Sequence, residues 1–202
     1  MRNWNWKFVA GFVAVMGIAI CGATSGKAAL AQSAPAQAPT PPQIKVVKQS
    51  APVKALILEV TVPATQAEVW NAFTTSDGLS TWLTPGAVVD LREGGEWTAH
   101  YPGGHTGGGT ILSFVPMSEM TLSAMAPEQF PHVRAERTTV KFEFIPQGNM
   151  TLVRWTQTGW KDSDEWDKAY DYLAKGNPQL LETLRRRFVS GPIDWKKEWG
   201  IS

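Results

Sequence analysis

Cysteine is nearly absent from this sequence, since Cys21 is the single one among 202 residues. One cysteine cannot close an intrachain disulfide, and a chain with no other thiol cannot build a thiolate metal centre, so both are excluded. A surplus of either charge is lacking too, because 19 Lys and Arg stand against 18 Asp and Glu. Nucleic-acid-binding proteins need a basic face. No nucleic-acid partner is therefore expected.

Histidine is scarce, and its spacing does not suggest a metal site. His100, His105 and His132 form no HxH, HxxxH or HExxH pair, which are common spacings of metal ligands. The glycine-rich stretch 103–109 lacks the GxxxxGK(S/T) pattern of a phosphate-binding loop, so a flexible hairpin loop is expected there. With no GxSxG nucleophile motif and no evident pair of catalytic carboxylates, the sequence predicts no catalytic residue, no metal and no cofactor.

The N-terminus has the pattern of an export signal. Arg2 and Lys7 precede an apolar run over residues 8–23, which is shorter than the ~20 residues of a membrane-spanning helix. Ala29-Leu30-Ala31 then matches an A-x-A cleavage site. We predict a signal peptide over residues 1–31, cleavage after Ala31, and a periplasmic or secreted protein without a membrane span after cleavage. An uncleaved signal anchor is the alternative.

The rest of the chain divides into a linker, one domain and a tail. Residues 32–54 are rich in Pro and Ala and have no apolar periodicity, which predicts a disordered linker. Residues 55–190 carry the periodic apolar patterns of a folded domain. Residues 191–202 remain as a C-terminal tail.

The domain is predicted to be α+β. Apolar residues alternate along Ala55–Val62, which indicates a strand. Two short helices follow: one opens at the capping box Thr65–Glu68, and the other covers Ser76–Leu83. Six further strands are expected, with a longer loop through Pro127 and Pro131 between the fourth and fifth of them.

The last predicted element is a long helix that begins at Asp162 or Ser163. Apolar residues recur with helical spacing from Trp166 to Phe188, on both sides of Pro178. The continued register favours one kinked helix, whereas the preceding Gly-Asn pair favours a break. Since a sheet and a helix with apolar faces bury them against each other, we predict a curved antiparallel sheet of about seven strands wrapped on this helix.

Several motifs in the domain resemble a known family. Val62–Trp70, with Phe73, is similar to the opening of the START-like, or SRPBCC, superfamily, which has the helix-grip fold. Four further motifs resemble the branch named after the activator of the heat-shock protein 90 ATPase: Val89–Gly95, Gly109–Ile111, Thr158–Trp160 and Trp166–Leu173. The resemblance covers roughly residues 55–188. Since that chaperone is cytosolic and this chain is predicted to be exported, the family name is not carried over as a function.

The resemblance implies an apolar pocket between the sheet and the long helix. Relatives use it to hold lipids, sterols, polyketides or hormones, and some catalyse cyclisation or dehydration. Bacterial members of the branch often have His where Gln157 stands, and an amide cannot exchange protons near neutral pH. An acid–base role of that position is therefore not expected here.

Large aromatic side chains and two amides are the candidate ligand-binding residues. The predicted cavity lining is Phe73, Trp82, Trp97, Phe142, Phe144, Val153, Trp155, Gln157, Trp166, Tyr170, Leu173 and Asn177. Plain core packing is the alternative for each aromatic residue. A buried amide needs hydrogen-bond partners, which a polar group of a ligand or an ordered water could supply to Gln157 and Asn177.

Three functions follow from these patterns. The first is an exported, non-catalytic binding or carrier protein for a small hydrophobic, lipid- or polyketide-like molecule. The second is a cyclase- or dehydratase-like enzyme that uses the same cavity. The third is a module that docks a protein partner through the sheet or the Pro-rich arm, with an exposed apolar patch that includes Trp195 and Trp199.

Overall fold

The structure, a computed structural model, describes residues 44–200. The predicted signal peptide and residues 32–43 of the predicted linker lie outside the described residues. Within residues 44–200, no helix is both long enough and apolar enough to cross a membrane.

Eight strands and five α-helices follow one another along the described chain. They are β1 Lys45–Gln49, β2 Ala55–Val62, α1 Gln66–Thr74, α2 Ser76–Ser80, β3 Val88–Val89, β4 Glu96–His100, β5 Thr106–Val115, β6 Glu119–Met125, α3 Pro131–Glu136, β7 Thr138–Gln147, β8 Met150–Thr158, α4 Asp164–Ser190 and α5 Trp195–Trp199. The strands form one antiparallel sheet in the order β1-β2-β8-β7-β6-β5-β4-β3. The sheet is curved and does not close on itself, and α4 is the long helix of a helix-grip fold. The predicted α+β class and fold are confirmed.

Strand β1 is the element that raises the predicted seven strands to eight. It lies inside residues 32–54, so the prediction of a disordered linker is wrong for residues 45–49. This strand pairs with β2 from Lys45 opposite Glu59 to Gln49 opposite Ala55, and the Lys45 ammonium lies 2.9 Å from the Glu59 carboxylate. Four of its five residues are exposed, so backbone pairing holds it at the edge. Its sequence, KVVKQ, has no alternation of apolar residues from which a strand could be predicted.

The two short helices after β2 form as predicted, although the second is shorter. Thr65 Oγ1 accepts from Glu68 N at 3.3 Å, and Glu68 Oε2 accepts from Thr65 N at 2.8 Å. This is the predicted capping box of α1. Helix α2 ends at Ser80 instead of Leu83, and Thr81 Oγ1 donates to Gly78 O at 2.6 Å.

Residues 106–109 belong to a strand, so the expected flexible loop over 103–109 is wrong for them. Two glycines of β5 lie where neighbouring strands approach closely. A Cβ on Gly108 would lie 2.1 Å from Trp97 O, and a Cβ on Gly109 would lie 2.1 Å from Ser123 O. No residue with a side chain fits either contact without a shift of the backbone.

Helix α4 runs without interruption through Pro178, so the single-helix prediction is confirmed and the break is not. Ser163 Oγ accepts from the Trp166 amide at its start. Near its N-terminus, Tyr170 OH donates to Ala55 O at the start of β2, at 2.8 Å. Near its C-terminus, Arg187 Nε donates to Thr81 Oγ1 after α2, at 2.9 Å. The helix therefore spans the distance from the β1 edge of the sheet to the short helices.

Buried apolar residues form two clusters. The main one contains residues from the inner face of the sheet and from helices α1, α2 and α4. The smaller one lies around α3, in the segment that the sequence predicts to be a loop, and consists of Ala126, Phe130, Val133, Trp166 and Ala169. Helix α3 was missed because it is a single short helix whose N-terminal residue is Pro131.

The C-terminal tail packs on the domain. Trp195 Nε1 donates to Ser80 O at 2.6 Å, and Ile193 N donates to Thr81 O at 2.9 Å. The Arg186 guanidinium lies 2.9 Å from the Glu198 carboxylate. Trp195 and its neighbour Trp199 are half-buried, so these contacts remove most of the apolar patch that the partner-docking hypothesis assigned to them.

A pH-dependent ion pair joins α3 to the start of α4. Glu165 accepts hydrogen bonds from His132 N at 2.9 Å and from the His132 ring, whose Nδ1 lies 2.5 Å from the carboxylate. The hydrogen bond to Glu165 raises the pKa of His132 above 6.5. The same hydrogen bond lowers the pKa of Glu165 below 4.5.

We predict that His132→Asn destabilises the protein most between pH 4.5 and pH 6.5, the ordinary pKa values of the two groups. The histidine contribution is complete below its unfolded pKa and is lost as the pH rises through its raised folded pKa. The glutamate contribution is complete above its unfolded pKa and is lost as the pH falls through its lowered folded pKa. Thermal unfolding midpoints across this range measure the difference, with His100→Asn as the control. A difference that stays constant with pH would refute the ion pair.

Candidate functional site

The inner face of the sheet presents side chains in rows that cross several strands. One row contains Leu58, Trp155, Phe142 and Met120, from β2, β8, β7 and β6. The adjacent row contains Leu56, Gln157, Val140 and Leu122 from the same strands. All eight are buried. Gln157 is the one polar member of these two rows, directly beside Trp155 on the same face of β8.

At one end, the predicted aromatic residues form a tightly packed group around Phe73 of α1. Its ring centroid lies 4.8 Å from that of Trp82 and 5.0 Å from those of Phe142 and Phe144. Phe73, Trp82 and the nearby Val153 have no exposed surface. These residues are therefore packed as a closed core, and they do not line an open cavity.

The indole of Trp97 belongs to the same group and is equally satisfied. Its centroid lies 5.8 Å from that of Phe142, and its Nε1 donates to Phe73 O at 2.7 Å. Trp82 Nε1 likewise donates to Ala72 O at 2.8 Å. Trp97 therefore binds strand β4 to α1, and Trp82 binds the segment after α2 to α1.

Trp155 differs from these two tryptophans. Its ring packs against Phe142 at 5.0 Å, yet 8% of its surface stays exposed. Its Nε1 is buried, and no atom of the described residues accepts a hydrogen bond from it. A buried donor without an acceptor costs about 1–3 kcal/mol. This position therefore calls for an acceptor that the described chain does not provide.

The two predicted amides bind each other across the interface between sheet and helix. Asn177 Nδ2 donates to Gln157 Oε1 at 3.2 Å, and Gln157 Nε2 donates to Thr138 Oγ1 at 2.9 Å. All three residues are buried. The sequence analysis predicted both amides as site residues. It did not predict Thr138, because the sequence pattern does not show which residues of β7 and β8 lie side by side. This network fixes the middle of α4 over β8.

Small side chains line the sheet beyond the row that contains Gln157. Gly109 lies opposite Ala124, and Ala124 lies opposite Thr138, on three adjacent strands. Ala124 keeps 8% of its surface exposed, as does Leu173 of α4 with 9%. Leu173 is one helical turn before Asn177, on the same face of α4. Narrow side chains and residual exposure therefore coincide in this part of the interface.

The remaining two predicted site residues have other surroundings. Trp166 belongs to the smaller cluster with Phe130 and Val133, so the structure does not bring it together with the rest, since α3 covers the first turn of α4. Tyr170 belongs to the main cluster, but its hydroxyl is bound to Ala55 O. Burial raises the pKa of Tyr170.

The histidines lie apart from this interface. His105 Nδ1 lies 2.9 Å from Glu128 Oε2 on the surface, and His132 binds Glu165. Across residues 44–200, no group of three or more His, Cys, Asp or Glu side chains is arranged to hold a metal ion. The polar groups at the interface (two amides, a hydroxyl and an indole N–H) donate and accept hydrogen bonds without titrating near neutral pH.

Comparison with known proteins agrees with this architecture. A family model described as Activator of Hsp90 ATPase homolog 1-like protein matches residues 63–188. No protein with a curated description is significantly similar to the chain.

Solved structures share the fold at low sequence identity. The Aha1 dimer from Colwellia psychrerythraea has a TM-score of 0.56 and 18% identity, over 68% of this chain and 97% of that one. Protein MLL2253 from Mesorhizobium loti has a TM-score of 0.59 and 19% identity, over 69% and 100%. CalU16 from Micromonospora echinospora has a TM-score of 0.55 and 19% identity, over 78% and 80%. At such identities the likeness concerns the fold alone.

We predict that Asn177 and Gln157 are energetically coupled. Asn177→Leu or Gln157→Leu alone leaves a buried amide without its partner and should lower the free energy of unfolding by about 1–3 kcal/mol. The double variant should lose less than the sum of the two, since it removes both ends of the bond. Urea unfolding measures all four proteins. As a control, Asn177→Leu combined with the exposed Ser113→Ala should be additive; additivity in the amide pair as well would disprove the coupling.

Proposed function

We propose that this chain, which belongs to the family of Activator of Hsp90 ATPase homolog 1-like proteins within the SRPBCC superfamily, is an exported protein that binds a small apolar molecule. The guest lies between the inner face of the sheet and α4, and the protein carries it without altering it. The fold of the family is compatible with ligand binding and with cyclase-like roles.

The unpartnered indole of Trp155 is the observation that supports this proposal. A core that serves stability alone gains from pairing every buried donor, as it does for Trp82 and Trp97. Trp155 instead keeps 8% of its surface exposed, on the same face of β8 as Gln157, which binds Asn177 of α4. A site for an occupant explains both the missing partner and the residual exposure.

The chemistry of the interface favours binding over acid–base catalysis. Gln157, Asn177 and Thr138 are bound to each other, and none of them carries or exchanges a proton near neutral pH. The nearby tyrosines hold their protons firmly, since burial raises the pKa of Tyr101 to about 12. A cyclase or dehydratase would need a group that gives or takes a proton at the substrate.

The export part of the proposal is supported by the N-terminal sequence. Two cations, an apolar run and Ala29-Leu30-Ala31 form the pattern of a cleaved signal. Delivery outside the cytosol separates this chain from a cytosolic chaperone, so we do not extend the activity in the family description to it.

Native mass spectrometry of the protein purified from its own host tests both parts together. We predict the mass of a chain that begins at Gln32, plus a small apolar molecule that is released on denaturation. A chain of that length that arrives empty and binds no apolar fluorophore would overturn the carrier. A mass that retains residues 1–31 would overturn cleavage, and turnover of the released molecule by the purified protein would favour the enzyme.

A further inference from the structure

The chemical class of the guest can be argued from the hydrogen-bonding groups around it. Trp155 Nε1 can only donate a hydrogen bond, and no described residue accepts from it. Four other indoles in the described chain have an acceptor: those of Trp82, Trp97, Trp160 and Trp195 each donate to a backbone carbonyl at 2.6–3.0 Å. A ligand that pairs with Trp155 Nε1 therefore needs one hydrogen-bond acceptor atom.

The surroundings of this donor are apolar on the sheet. On either side of Trp155 lie Leu58 and Phe142, which are buried almost completely. The nearest polar residue along β8 on this face is Gln157, whose amide is already bound to Asn177 and Thr138. An acceptor that reaches Trp155 must therefore belong to a molecule whose remaining surface is apolar.

The buried polar side chains favour a neutral guest over an ionised one. The polar side chains that are buried in the described chain are Thr, Gln and Asn, so none of them can neutralise a carboxylate. Burying an unpaired charge is far more costly than burying a neutral carbonyl. Among residues 44–200, the one cation with a buried unpartnered nitrogen is Arg137, through Nη1, and it is half-buried at the end of α3.

We propose that the guest is a neutral apolar molecule with a carbonyl oxygen, as in a ketone or an ester, which accepts a hydrogen bond from Trp155 Nε1. This rests on the proposed binding function and deepens it. The indole selects for the carbonyl group, and the apolar rows around it accept the hydrocarbon part. Hydrocarbons that lack an acceptor leave the donor unpaired and bind more weakly.

Three probes of the same size and shape test this selectivity with the full chain. They are 2-acetylanthracene, 2-ethylanthracene and anthracene-2-carboxylate, and their fluorescence reports the dissociation constant. We expect the ketone to bind about tenfold more tightly than the ethyl compound, the value of one buried hydrogen bond. The carboxylate should bind more weakly than the ketone.

The variant Trp155→Phe removes the donor and keeps an aromatic ring. Whatever the change does to the affinity for 2-ethylanthracene, the preference for the ketone over it should fall to about twofold or less. Trp195→Phe, whose indole binds Ser80 O away from the interface, should keep the full preference. In the ¹⁵N spectrum of the tryptophan side chains, the signal that Trp155→Phe removes should shift when the ketone is added.

The outcomes separate this inference from the proposed function. Equal binding of the ketone and the ethyl compound means that water serves as the partner of Nε1, which refutes the selectivity but leaves apolar binding intact. Tightest binding of the carboxylate assigns the polar contact to Arg137 and also refutes it. Failure of all three probes to bind contradicts the binding site itself.

Discussion

Burial of one face of α4 against the concave face of the sheet is the contact on which the rest of the structure depends. An antiparallel sheet with one apolar face and a helix with an apolar stripe are each unstable in water until they cover each other. Leu181 and Leu184 of α4 are fully buried in the main cluster. The sheet is curved, and Gly108 and Gly109 lie where a Cβ would meet the backbone of a neighbouring strand.

The same contact contains polar groups that a core built only for stability would avoid. Asn177 and Gln157 satisfy each other, so they fix the height of the helix over β8 at little net cost. Trp155 lies beside them with an unpaired donor. The amide pair is therefore satisfied within the protein, whereas the indole next to it is buried without an acceptor.

Local sequence signals predicted the parts of the fold that local physics determines. The capping box at Thr65 and the helical register across Pro178 depend on neighbours within one or two turns, and the structure has both. The amides Gln157 and Asn177 could be selected because polar residues on apolar stripes are conspicuous. That they bind each other depends on how α4 lies on β8, which no local pattern contains.

The predictions that failed concern residues whose structure depends on partners distant in sequence. Strand β1 owes its structure to the free edge of β2, so residues 45–49 look like linker in isolation. Trp166 has the same helical spacing as Tyr170, yet it belongs to another cluster because α3 covers the first turn of α4. Residues 106–109 look flexible, yet the neighbouring strands hold them in the sheet. In each case a distant partner decides the structure.

A crystal structure of the protein purified from its host tests most directly whether the space beside Trp155 holds an occupant. We predict electron density for a bound molecule with an acceptor atom at about 3 Å from Trp155 Nε1, close to the Gln157–Asn177 pair. Density for water alone, or no density within hydrogen-bond distance of Nε1, would contradict the presence of a guest.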